Sequence, residues 1–186
     1  MSAALAAADG IRRLLEAIAR ASAWLLVVMA AVTCFDVIAR KTGIPAPLTK
    51  LQELEWHFHA ALFSLWMGYG YTINAHPRVD SYTESLPLRR KAWIELLGCV
   101  LFALPYCGLV AFHSLDFVAS SYALGEQSDS TVGLRYRWAI KGIFAAGLWL
   151  VVLGILSVML RLIVFLFGGR SADEVNLDIG HTEVDV

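Results

Sequence analysis

Leu51 to Phe63 reads LQELEWHFHAALF, and the fold turns on how this stretch is read. Two glutamates, a tryptophan and two histidines, among them Glu53, Glu55, His57 and His59, stand immediately ahead of a long apolar run. Either they form a reactive or metal-binding cluster, or they mark where the chain enters a bilayer. Thr49-Lys50-Leu51-Gln52 fits a capping box, in which a Thr hydroxyl satisfies a free helix N–H and a Gln three residues on reaches back. That predicts a helix starting near Lys50. Glu53 and Glu55 then fall in its first two turns, where the positive end of the helix dipole favours carboxylates. Trp56 marks the crossing, because an amphipathic ring prefers the headgroup region.

Composition supports the membrane reading. The 186 residues are 58% hydrophobic and only 17% charged, with a mean hydropathy of +0.62, whereas soluble domains carry roughly 25% charged residues. The formal net charge of -1 argues against nucleic acid, which needs clustered, uncompensated Lys and Arg. Cys34, Cys99 and Cys107 each lie inside an apolar run. An odd number so placed argues against a disulfide framework and reads as small buried hydrophobes.

A hydrocarbon core about 30 Å thick takes about 20 helical residues to cross. Charge-poor windows of that length occur at 21–39, 56–75, 96–115 and 142–160. The expected fold is therefore all-α, a four-helix transmembrane bundle forming one domain over 1–170, with a polar, acidic, mobile tail over 171–186. Ala7 to Ala19 places Ile11, Leu14, Leu15 and Ile18 at helical spacing opposite Arg12, Arg13 and Glu16, which predicts an amphipathic interfacial helix that turns into the first span. A cleaved leader competes for that stretch, but no small-x-small cleavage site leads into a soluble domain. Lys and Arg on the two sides number nine against six if the N-terminus is cytoplasmic, which favours N-in and C-in. Arg89-Arg90-Lys91 contributes most clearly to that count.

Asp36 and Arg40 stand four apart, acid first, the order that supports a helix and lowers the cost of an acid in a span. Alternatively either pairs with Glu53 or Glu55 on the second helix, or the acids hold a cation. His59 and His113 fall at similar depth, so a bis-histidine haem is geometrically permitted; interfacial, hydrogen-bonded histidines are the plainer reading. Ala60, Ser64 and Gly68 form a small-xxx-small strip that lets another helix approach closely, either within this bundle or from a partner. Pro105 should kink the third span. The spans show no central unpaired acid, broken half-helix pair or Arg ladder, the usual marks of a substrate path or voltage sensor, and no catalytic motif, so an enzyme is not indicated.

Asp36-Val37-Ile38-Ala39-Arg40, Gln52-Glu53-Leu54-Glu55-Trp56, Gly68-Tyr69, His76-Pro77-Arg78-Val79-Asp80, Arg89-Arg90-Lys91 with Trp93, and Gly133-Leu134 followed by Arg137-Trp138-Ala139-Ile140-Lys141 follow one another around four spans. In that order the chain resembles the small membrane subunit (DctQ-like) of TRAP (tripartite ATP-independent periplasmic) transporters. It departs from many relatives at Pro77 and Arg135. The resemblance implies a bacterial inner-membrane protein beside a large membrane subunit that holds the sodium and substrate sites, and a periplasmic solute-binding protein that delivers an organic acid. It implies a scaffold with no cofactor of its own, the complex using the sodium gradient. Interface roles then go to Asp36, Arg40, Glu53, Glu55, Ala60, Ser64 and Gly68, and cytoplasmic anchoring to Arg78, Asp80, Arg89 and Arg90. The alternative is a small b-type cytochrome subunit using His59 and His113.

Overall fold

The computed structural model describes residues 2–76, 83 and 85–177. Those residues hold helices α1 (Ser2–Thr42), α2 (Leu48–Thr72), α3 (Leu88–Gly98), α4 (Leu104–Ala123) and α5 (Arg137–Gly168), and no strand. A π-helical turn, Cys99–Ala103, joins α3 to α4, so the two form a single rod. Its wider turn is closed by the Leu104 N–H donating to the Cys99 carbonyl, just ahead of Pro105. Pro105, which cannot donate, thus enters where the hydrogen-bond ladder is already relaxed.

Helix α5 is the axis of the bundle. The most apolar stretch of α5 is 44% buried, against 11% for α1 and 17% for the α3–α4 rod, and every other helix packs on it. Among the described residues three helices, α1, the rod and α5, are long and apolar enough to cross a membrane. The expectation of four such spans meets a difference at α2. With 25 residues α2 is long enough, but two acids, two histidines and a polar C-terminal turn dilute its apolar content. It lies against both α1 and α5.

The seam between α2 and α5 explains why they pack closely. A Cβ added at Gly68 would lie 2.5 Å from the Leu150 carbonyl oxygen, one at Gly147 would lie 2.6 Å from that of Ser64, and one at Gly154 would lie 2.6 Å from that of Gly68. Backbone therefore meets backbone at three levels, the contact that small residues permit in lipid. The Ser64 hydroxyl donates to the Ala60 carbonyl of its own helix at 2.7 Å, so this buried polar group at the seam is satisfied within α2.

Several boundaries differ from expectation. Helix α2 starts at Leu48 after Pro47, with no side-chain cap, so the Thr49 capping box does not form. Pro47 has its φ fixed near the helical value, and its carbonyl takes the Leu51 N–H at 3.1 Å, so Thr49 is already inside the helix. The interfacial segment is not a separate element. Helix α1 runs unbroken for 41 residues, about 60 Å, because Ala19-Arg20-Ala21-Ser22 contains no breaker and the Glu16–Arg20 pair spans the expected turn. Its buried stripe is Leu5, Ala8, Leu15 and Ala19, while Leu14 is 51% exposed. Of the cysteines, Cys99 is buried but Cys34 is exposed, contrary to a uniformly buried reading.

Candidate functional site

The end of the bundle carrying the α1–α2 connection and the start of α5, termed here the upper end, gathers most of the acids and bases singled out from the sequence. Asp36 is buried on α1, and Arg40 donates from Nε to Asp36 Oδ2 at 2.6 Å. The same guanidinium reaches the Leu48 carbonyl at 3.4 Å, tying the end of α1 to the start of α2. Glu55 acts electrostatically on Arg40. It borders a groove of about 320 Å³ between α1 and α2, together with Met29, Thr33, Trp56 and His59.

Glu53 turns away from Arg40. Its carboxylate accepts the Leu134 N–H at 2.5 Å and the Ser128 hydroxyl, both from the connection between α4 and α5. These bonds, with Arg137 and His57 nearby, hold the Glu53 carboxyl below the usual carboxylate range. A Cβ at Gly133 would lie 2.6 Å from Glu53 Oε1, so the carboxylate fills space that only glycine leaves open. Glu126 forms an ion pair with Lys141 of α5, which lowers its pKa too. Lys141 also lies 3.9 Å above the Phe117 ring. The α4–α5 connection is thus held against α2 at one side and α5 at the other. Pairing of Glu53 with Arg40 is not what the chain does; the helical turn between Glu53 and Glu55 sends the two acids to different neighbours.

At the lower end, a second polar junction was not anticipated. Arg161 on α5 is 4% exposed. It donates to Asp9 Oδ1 of α1 at 2.6 Å and to the Val175 carbonyl at 2.6 Å. One turn before it, Ser157 donates to the Ala8 carbonyl at 3.0 Å. Leu5, Val164 and Val175 pack together beside these bonds. The first part of the expected mobile tail is therefore docked: Asp173–Val175 forms a 3-10 turn with Val175 buried, because its side chain and carbonyl both have partners on α5. Residues 178–186 of that tail lie outside the described residues.

Of the expected cytoplasmic anchors, Arg89 donates to the Leu166 carbonyl near the end of α5 at 3.2 Å, where the helix dipole favours a cation. Arg90 is exposed, and Arg78 and Asp80 fall outside the described residues. Ala60 is partly buried, and Ser64 and Gly68 are buried in the α2–α5 seam of this same chain. His59 opens into the α1–α2 groove. His113 lies on α4, exposed, 3.9 Å from Asp116. The two histidines have different neighbours, and nothing in the structure supports a haem between them. Among the described residues no three His, Cys, Asp or Glu side chains come together as metal ligands.

Three features missed from sequence had faint signals. Ser157 and Arg161 are four apart and share a face of α5, Gly147 and Gly154 are two turns apart on it, and Asp9 is an acid on the α1 face that meets them.

The sequence matches the family described as Tripartite ATP-independent periplasmic transporters, DctQ component, over residues 29–165. No curated protein and no solved structure matches it. The matched segment takes in the upper part of α1, all of α2, α3 and α4, and nearly all of α5, and the chain therefore belongs to the DctQ family, the small membrane subunit of TRAP transporters.

Proposed function

We propose that the chain is a non-catalytic scaffold in a sodium-coupled, binding-protein-dependent importer of organic acids. Membership of the DctQ family over residues 29–165 is the observation that carries this reading. In it, α2 is the fourth crossing, shielded from lipid by α1, α5 and a partner. The N-terminus and the Arg161 junction lie in the cytoplasm of a bacterial cell, in line with the excess of Lys and Arg on that side. The upper end then faces the periplasm.

The subunit holds the large membrane subunit, which carries the sodium and substrate sites, and contributes Asp36, Arg40, Glu53 and Glu55 to the surface that meets its partners. Arg40 and Glu55 belong to that surface directly; Glu53 acts by fixing the α4–α5 connection. Ser64 and Gly68 act indirectly, by setting the α2–α5 spacing. Arg78, Asp80, Arg89 and Arg90 anchor the cytoplasmic side. Substrate specificity resides in the binding protein, and the chain needs no cofactor of its own.

The test is co-expression with the large membrane subunit of the same transporter. A tag on either chain should recover both in mild detergent, and deletion of the small chain should abolish uptake driven by the binding protein. Wild-type uptake in the deletion strain would refute the scaffold role. A Soret band in the purified chain from haem-replete cells would refute the absence of a haem.

A further inference from the structure

The lower end of the bundle carries a polar pocket that the scaffold role does not use. It measures about 340 Å³ and is lined by Asp9, Arg12, Arg13 and Glu16 of α1, Arg161 of α5 and Asn176. Three guanidinium groups from two helices thus border one cavity, and the acids beside them do not balance their charge. Asp9 gives Oδ1 to Arg161 at 2.6 Å, and Glu16 pairs with Arg20 one turn further along α1. Arg12, Arg13, Arg20 and Arg161 therefore stand against two carboxylates. Arg13 donates from Nε to the Asp9 carbonyl at 3.3 Å and has no carboxylate partner among the described residues. Surplus positive charge around a cavity of this size favours an anion.

The depth of the pocket indicates which anion. The charge-free stretch 142–160 of α5 stops at Arg161. About 8 Å further along the helix axis, Arg89 donates to the Leu166 carbonyl at 3.2 Å and Trp93 meets Phe167 edge-on at 5.5 Å. An Arg and a Trp so placed mark the headgroup layer. Beyond Arg13, Ala17, Ala21, Trp24 and Val28 follow on the same face of α1 at helical spacing, and all are exposed. An apolar strip thus leads from the pocket into the first span, where acyl chains lie.

We propose that this pocket holds the phosphate of an anionic phospholipid from the adjoining leaflet. Arg13 and Arg161 donate to its oxygens, because a planar guanidinium matches phosphate with two parallel N–H groups, and Arg12 adds charge. Basic pockets between membrane helices recognise headgroups in this way. A lipid fits better than a soluble phosphate because the apolar strip on α1 continues from the pocket into the membrane. The site requires only that the chain spans a bilayer, so it stands or falls apart from the scaffold role.

The experiment uses the full chain in non-ionic detergent and counts bound lipid by native mass spectrometry after addition of phosphatidylglycerol or phosphatidylcholine at equal concentration. Wild type should retain phosphatidylglycerol at least about ten-fold more than phosphatidylcholine. Arg13→Gln should lower that retention about five-fold, the share of one basic residue near a headgroup, and Arg12→Gln/Arg13→Gln should abolish the preference. Arg135→Gln, an equal loss of charge on the exposed upper end, should leave it unchanged. Because Arg13 is exposed and bonds only within its own helix, Arg13→Gln should melt like wild type without lipid. Phosphatidylglycerol should then raise the melting point of wild type but not of the double variant.

Equal retention of the two lipids by wild type, or an unchanged preference in the double variant, would overturn the proposal and leave the scaffold role standing. So would an equal fall in Arg135→Gln, which would reduce the effect to overall charge. Displacement of phosphatidylglycerol by inorganic phosphate would make the pocket a site for a soluble anion. A preference that emerges only when residues 178–186 are deleted would give the pocket to the acidic tail of the chain itself. Either result would overturn the assignment to lipid.

Discussion

Gly68→Ala tests the packing at the centre of the bundle. The added methyl would lie 2.5 Å from the Leu150 carbonyl oxygen and 2.7 Å from its carbon, whereas ordinary contacts begin near 3.4 Å. The obstacle is backbone, so no rotamer change relieves it. The helices must part by about 0.9 Å at that level, and because Gly147 and Gly154 make equally close approaches above and below, the separation spreads along the seam. Overpacking of this kind costs about 1–3 kcal/mol, and a loss of about 2 kcal/mol corresponds to roughly 4–8 °C in a chain of this size. The measurement is thermal unfolding of the isolated chain in detergent, followed by its tryptophan emission, with Ala60→Gly as a comparison that adds no bulk. If the strip instead served a partner, Gly68→Ala would leave the isolated melt unchanged and lower only assembly. That result would refute the packing described here.

Other consequences follow from the two polar junctions. Glu53→Ala removes the acceptor for the Leu134 N–H and the Ser128 hydroxyl, and Gly133→Ala displaces the same carboxylate. A spin label at Thr131 should become more mobile in both variants, with local destabilisation of about 1–2 kcal/mol; wild-type mobility in both would contradict the clamp. Because Glu53 and Glu126 have folded pKa values below their unfolded ones, their contribution is fully present above an unfolded pKa of about 4.3. It is lost as pH falls through the lower folded values. The same label in wild type should therefore stay ordered at pH 5 and loosen only below about pH 4, and loosening already between pH 7 and 5 would be the wrong outcome. Asp9→Ala leaves Arg161 buried without its carboxylate, and the docked segment around Val175 should open, so trypsin should cut after Arg170 several-fold faster than in wild type. An unchanged cutting rate would show that Arg161 does not hold that segment.

How much could be read in advance depended on the distance over which each signal acts. The spans were legible because 20 residues without charge is a local property, and three of the four windows lie within helices apolar enough to cross. The fourth window, 56–75, was legible as helical, but the polar residues of α2 leave it short of the apolar content of the other three. The Asp36–Arg40 pair was legible as an i,i+4 contact, and it forms at 2.6 Å. Glu53 was legible as an acid at the start of a helix, but its contact with Leu134 was not, because that partner is 81 residues away and no periodicity links a carboxylate to a distant loop amide. Arg161 carries no local signal of its role. Its burial depends on Asp9, 152 residues earlier, and on a tail whose acidic composition masks the apolar contact made by Val175. The small strip at Ala60, Ser64 and Gly68 was legible, but its partner glycines on α5, Gly147 and Gly154, are seven apart and show no small-xxx-small pattern.

The central claim is that this chain supports transport without performing it. Purified chain, large subunit and binding protein should be reconstituted into liposomes under an inward sodium gradient, with radiolabelled organic acids as substrates. Substrate should accumulate only when all three proteins are present, and the small chain alone should give uptake no greater than empty liposomes. Sodium-driven accumulation by the small chain alone, or full uptake by the large subunit and binding protein without it, would contradict the account.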